Sequence, residues 1–213
     1  LIAEAMQKVG KDGVITVEES KGIETSMEIV DGMQFDKGFL STHFATNQEK
    51  MIAELENPYV LLYDGRINNM NDILTILEGV GQSSKSLLII ADVDQQVMSA
   101  LAMNKLKGNI KVNLIDAPVY GVNKKETLED LALLTGATII NEDLGDDIDL
   151  IGPEHLGEIK KSVTEENETV LHLIETTEEV KSMIDKMEEE LVECTDPILT
   201  VKLEKRLDRL SAK

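Results

Sequence analysis

The sequence predicts an α/β fold built on a mainly parallel βαβ sheet, with flanking β-hairpins and a C-terminal antiparallel helix pair. Three observations carry this reading. Unbroken apolar runs at residues 59–63 and 87–91 have the length and composition of strands buried on both faces. Segments with helical apolar spacing lie between and after them, and strands alternating with helices imply parallel pairing through crossovers. Past residue 157 the pattern changes to a β-hairpin and then two amphipathic helices.

Taken in order, residues 1–9 place Leu1, Ile2, Ala5, Met6 and Val9 at helical spacing, and Gly10 is positioned to end that helix. Residues 14–17 and 27–30 are β-branched or alternating and flank a Glu-Glu-Ser-Lys-Gly turn, the pattern of a short β excursion. The strand at 59–63 is expected to end at Asp64-Gly65. Met70, Ile73, Leu74, Leu77 and Val80 then follow helical spacing. The strand at 87–91 leads to Asp94, a cap for a helix running to Lys107 and stopped by Gly108. A third strand over 110–115, a third helix over 126–134 closed by Thr135-Gly136, and a fourth strand over 138–140 complete the alternation. The hairpin pairs 158–163 with 168–173 around Glu165-Glu166-Asn167. Of the last two helices, the first carries Val180, Ile184, Met187, Leu191 and Cys194 on one stripe. The second opens with Asp196 as cap and Pro197 at its first position, and carries Leu199, Leu203, Leu207 and Leu210.

Composition narrows the function. The 213 residues hold 21 Lys+Arg against 41 Asp+Glu, a net charge of −20, the wrong sign for phosphate backbones or anionic lipid. With aromatics at 3% and no Trp, a base-stacking platform is disfavoured as well, so neither nucleic acid nor membrane is expected as a partner. Cys194 is the single cysteine, which excludes an internal disulfide and any multi-cysteine metal site. No apolar run approaches the roughly 18 residues of a membrane span. A cytoplasmic location is the expectation, and because the chain opens on Leu1 without an initiator methionine it is expected to be a piece of a longer one.

Few residues speak for catalysis. Gly79 to Ser86 approaches the spacing of a phosphate loop, but it follows a helix and precedes a strand, the reverse of what such a loop requires. Asp64, Asp92 with Asp94, and Asp116 fall at the carboxyl ends of successive strands, where three carboxylates could hold magnesium for phosphoryl transfer. That enzyme is the alternative reading, set against helix capping and solvated strand ends. His43, His155 and His172 are scattered, and Cys194 lies on an apolar stripe, so neither a metal motif nor a nucleophile is indicated. A second alternative is a structural oligomerisation module using Leu199, Leu203 and Leu207.

Apolar surface in excess of what one buried stripe needs is the stronger signal. On the helix near residue 73, Ile73, Ile76 and Val80 form one stripe, and Leu74 and Leu77 flank it. On the helix after Asp94, Val97, Ala100 and Leu101 form a face while Met98, Ala102 and Met103 lie to either side. Leu74, Leu77, Met98, Ala102 and Met103 are therefore candidates for a solvent-facing groove between neighbouring helices, alongside the plain reading as core.

Several strings resemble the bacterial-type (group I, GroEL-like) chaperonins: Leu-Ile-Ala-Glu-Ala-Met at 1–6, Lys-Val-Gly-Lys-Asp-Gly-Val-Ile-Thr-Val-Glu at 8–18, Asp-Gly-Met-Gln-Phe-Asp-Lys-Gly at 31–38, Leu-Leu-Ile-Ile-Ala at 87–91, Ala117-Pro118 and Leu-Thr-Gly at 134–136. The resemblance implies an apical-domain-like fold over residues 31–213, with 1–30 as part of an intermediate domain and its connecting strands. It implies binding of non-native polypeptides and of a GroES-like co-chaperonin loop in an apolar groove, carried over to Phe39, Ser41, His43, Phe44, Leu74, Leu77, Met98, Ala102, Met103 and Asn104. Ser41-Thr42-His43-Phe44 stands where the family usually has Ser-Pro-Tyr-Phe, and residues 119–124 depart from its Gly-Phe-Gly-Asp-Arg-Arg. The ATP-binding strings of the equatorial domain are missing, so the resemblance implies no cofactor and no enzymatic activity in this segment. ATP and magnesium, the ATPase and the stacked rings would belong to the parent, in the cytoplasm or an organelle matrix or stroma.

Overall fold

The computed structural model describes residues 2–9, 32–117, 122–174 and 177–211. The chain forms two compact units, one of residues 1–34 with 175–213 and the other of residues 35–174. The expected strands at 14–17 and 27–30, Pro118, and residues 119–121 of the divergent 119–124 lie outside the described residues. Among the described residues, no helix is long and apolar enough to cross a membrane.

The first unit contains helix α1 (Ile2–Val9) and, at its end, a helical hairpin. Strand β1 (Gly32–Phe35) carries the chain into the second unit. There the order is β2 (Ala53–Glu56), β3 (Tyr59–Ile67), α2 (Asn71–Gln82), β4 (Leu87–Val93), α3 (Gln95–Leu106), β5 (Val112–Ile115), α4 (Val122–Thr135), β6 (Ile139–Ile140), β7 (Gly157–Glu158), β8 (Lys161–Thr164) and β9 (Thr169–His172). The α/β class is as expected. Strands β5, β4, β3 and β6 pair in parallel in that order, and β2, β8 and β9 pair antiparallel in the order β9-β8-β2.

The apolar runs are continuous because both faces of the parallel sheet are covered. Leu87, Ile89, Ala91 and Val93 of β4 share one core with Leu61 and Tyr63 of β3, Val112 and Leu114 of β5, and the inward residues of α2 and α3. The alternate residues Val60, Leu62, Leu88 and Ile90 are equally buried, and α4 packs against β3. β5 is tied to β8 by the Asn113 amide, which donates to the Thr164 hydroxyl at 2.9 Å with both side chains fully buried. Asn113→Leu removes that bond and leaves the buried hydroxyl only the longer contact from the Thr169 hydroxyl at 3.4 Å, and a loss of about 1–3 kcal/mol in urea denaturation is the expected outcome.

Three boundaries differ from expectation. β3 continues through Asp64-Gly65 to Ile67: Leu62 pairs with Ile90 and Arg66 with Asp92, so Tyr63, Asp64 and Gly65 together stand opposite Ala91. This bulge needs Gly65, because a Cβ there would lie 2.9 Å from the Tyr63 ring. The segment expected as one strand over 158–163 is divided, with Gly157 and Glu158 pairing against β3 and Lys161–Thr164 against β9. Sequence alternation cannot show that a chain changes sheets. The third helix also starts earlier than residue 126, at Val122.

At Gly38 the chain passes the hairpin turn so closely that an added Cβ would run into the carbonyls of Glu165 and Glu166. Gly38→Ala is expected to cost about 1–3 kcal/mol by overpacking, read as a lower denaturation midpoint at unchanged slope.

Candidate functional site

α2 and α3 are successive crossovers on one face of the sheet, and their exposure separates the groove residues expected from sequence. On α2, Ile73, Ile76, Leu77 and Val80 point inward. At about 100° per residue, Leu77 falls within their arc and Leu74 beyond its edge. Leu74 is accordingly 43% exposed and Leu77 only 6%. On α3, Met103 lies at least about 120° from both Val97 and Leu101. It is 57% exposed, while Ala102 is buried and Met98 is half-buried against the core. Both helices follow the carboxyl ends of their strands, and Leu74 and Met98 are each the fourth residue of their helix.

Local chemistry fixes the ends of α3. The Asp94 carboxylate accepts from the Gln96 N–H at 2.9 Å and pairs with Arg66 at 3.4 Å. At the other end Gly108, with φ +74°, takes the left-handed conformation that ends a helix without steric cost. The Asn104 amide is used inside this terminal turn, donating to the Ala100 carbonyl at 2.9 Å and accepting from Asn109 at 3.3 Å.

The segment from Phe39 to Phe44 packs beside α3 and β5 through a 3-10 turn at Thr42–Phe44. Ser41 caps that turn, its hydroxyl accepting from the His43 N–H at 3.4 Å. The Phe44 ring is fully buried and Phe39 nearly so, which makes them anchors of the segment; His43 remains exposed. The open surface therefore consists of His43, Leu74 and Met103, with Met98 and Ser41 half-open, and Phe39, Phe44, Leu77 and Ala102 lie beneath it. Leu40 and Leu106 are exposed apolar residues that the sequence reading passed over. Leu106 stands three positions after Met103 and was accessible from helical spacing.

Lys105 was not legible from any pattern. Its ammonium donates to the carbonyls of His43 and Ala45 at 2.9 and 2.6 Å, and burial pulls its titration below the ordinary lysine range. It also borders a cleft of about 890 Å³ lined by Lys85, Lys111, Glu54, Glu56 and Glu158 among others. Charges there are balanced, and the Lys85–Glu158 pair at 2.8 Å already consumes two of them.

The strand-end carboxylates are not gathered. Asp64 pairs with Lys124 at 3.3 Å and accepts from Asn141 at 3.1 Å, Asp94 caps α3, the Asp116 carboxylate accepts from the Ala117 N–H, and Asp92 is exposed. Among the described residues no three His, Cys, Asp or Glu side chains are grouped to hold a metal ion. Burial, followed by the neighbouring Glu142, holds the Tyr63 phenol well above its ordinary range, so it stays protonated.

In the other unit, helices α5 (Glu178–Glu193) and α6 (Pro197–Ser211) pack as the expected hairpin, with the Asp196 carboxylate accepting from the Ile198 N–H at 2.9 Å. Val180, Met187, Leu207 and Leu210 are buried, Leu203 and Cys194 are half-buried, and the exposed apolar residues are Val192, Ile198, Leu199 and Val201. Leu203 and Leu207 are thus largely used within the fold and leave Leu199 as the open member of the proposed oligomerisation set. Compared with models of known protein families, the chain matches none.

Proposed function

We propose that this chain is a polypeptide-binding module of the group I chaperonin kind, which holds exposed apolar segments of non-native proteins, or a co-chaperonin loop, against α2 and α3. The carrying observation is that Leu74 and Met103 remain 43% and 57% exposed on neighbouring crossover helices of a rigid sheet. Large aliphatic side chains in that setting lose water only when a partner covers them. Methionine adds a flexible, polarizable contact that accommodates many sequences, as a non-selective binder requires. The resemblance of residues 1–6, 8–18, 31–38 and 87–91 to chaperonin strings supports the same reading. On it, ATP hydrolysis and ring assembly belong to other parts of a longer protein working in the cytoplasm or an organelle matrix or stroma. The module itself acts without a cofactor, its affinity per site is modest, and several copies in a ring raise it by avidity.

The test is fluorescence anisotropy with a reduced and alkylated, permanently unfolded protein as probe. Saturable binding by this chain, absent for the same probe in its native disulfide-bonded form, is the expected result. Equal binding of both forms, or of neither, would sink the proposal.

A further inference from the structure

Lys105 occupies an unusual place for a lysine. It sits in the last turn of α3, between Asn104 and the exposed Leu106, and its ammonium is turned onto another segment. The two carbonyls it meets, those of His43 and Ala45, lie at the C-terminal end of the 3-10 turn Thr42–Phe44. Carbonyls at a helix end carry partial negative charge and lack partners within the turn, so a cation there satisfies both demands. Among the described residues no carboxylate pairs with the amine; the backbone of 43–45 is what it holds. The rest of the turn is thinly secured: the Phe44 N–H donates to the Ser41 carbonyl at 3.0 Å, the Ala45 N–H to the Thr42 carbonyl at 3.2 Å, and the Ser41 cap is long at 3.4 Å. Phe44 pins the segment to the core, but an aromatic ring fixes position without fixing the rotation of the flanking backbone.

Resting on the polypeptide-binding reading above, we infer that Lys105 is a positioning residue for that surface: by bridging the His43 and Ala45 carbonyls it fixes the Thr42–Ala45 turn, and with it the exposed His43, beside α3. The exposed His43 then stands on a preformed turn beside α3, and a bound chain does not have to order it.

The experiment compares the full chain with Lys105→Met, which keeps an apolar stem and removes the donors, and Lys105→Arg, which keeps donors and charge. Hydrogen exchange reports the tie, and anisotropy with the unfolded probe reports its consequence. Exchange of the Phe44 and Ala45 amides is expected to quicken about fivefold or more in Lys105→Met while the core amides of β4 stay protected. Affinity for the probe is expected to fall roughly three- to tenfold, with Lys105→Arg close to the parent in both measurements. Unchanged exchange at Phe44 and Ala45 overturns the tie. Quickened exchange with unchanged affinity overturns the positioning role, as does failure of Lys105→Arg to rescue. Failure of the binding reading itself is seen separately, as a parent chain that does not bind the probe, and it removes the positioning role while the exchange result still decides the tie.

Discussion

Leu74→Glu combined with Met103→Glu is expected to remove binding of unfolded polypeptide while leaving the fold intact. Fully burying one such aliphatic side chain is worth about 1.5–3 kcal/mol. Both residues are about half covered already, so each gains on the order of 1 kcal/mol when a partner completes the burial. A carboxylate in the same place reverses the sign, because the partner must now strip water from a charge it cannot satisfy. Together the two changes should weaken binding by roughly a hundredfold or more. Stability should move by less than about 0.5 kcal/mol, since neither side chain is part of the closed core. Anisotropy titration and thermal denaturation on the same samples check both halves. Retained affinity in the double variant would show that α2 and α3 are not the binding surface, and a large stability loss would show that these side chains are core.

Leu77→Glu should behave in the opposite way, although Leu77 stands only three positions from Leu74. Leu77 is 6% exposed and shares the core with Ile73, Ile76 and Val80. Truncating a buried leucine costs about 2–5 kcal/mol, and leaving an unpaired charge inside costs a similar amount. A loss of about 4 kcal/mol is a large part of the 5–15 kcal/mol that holds a typical domain together. For a unit of this size it lowers Tm by roughly 10 °C or more. The pH dependence has a definite sign. Burial raises the introduced carboxyl's folded pKa above its unfolded value of about 4.3, so the electrostatic penalty is absent below that value and grows as pH rises above it. Urea denaturation at pH 5 and pH 8 checks this: the deficit relative to the parent should be larger at pH 8. A Tm within about 2 °C of the parent would instead place Leu77 at the surface.

Much of the architecture was legible because it depends on signals that are local in the chain. Asp94 and Gly108 mark the ends of α3 through backbone chemistry that acts within a few residues, and both perform those roles in the structure. The unbroken apolar runs announced a sheet covered on both sides, which is how β3 and β4 are found. Asp196 and Pro197 foretold the start of α6 in the same way. The bulge at Tyr63–Gly65 was not legible, because an Asp-Gly pair ends most strands and here is retained by a glycine that yields space to a ring.

The candidate site divides along the same line. Apolar spacing identified Leu74, Leu77, Met98, Ala102 and Met103 as surplus to a single stripe, and the acidic composition argued against nucleic acid and lipid as expected partners. Which of the five meets solvent was decided by the tertiary structure alone. Leu74 and Leu77 are the same residue type on the same helix, and one is open and the other closed because the sheet and its neighbours cover only part of the helix's circumference. Phe44 and Lys105 make the same point from the other side, one expected at the surface and found in the core, the other unremarked and found holding the 43–45 backbone. A sequence fixes which side chains share a face, because that follows from the 3.6-residue turn of one helix. Coverage depends on segments tens of residues away, and no local period encodes it.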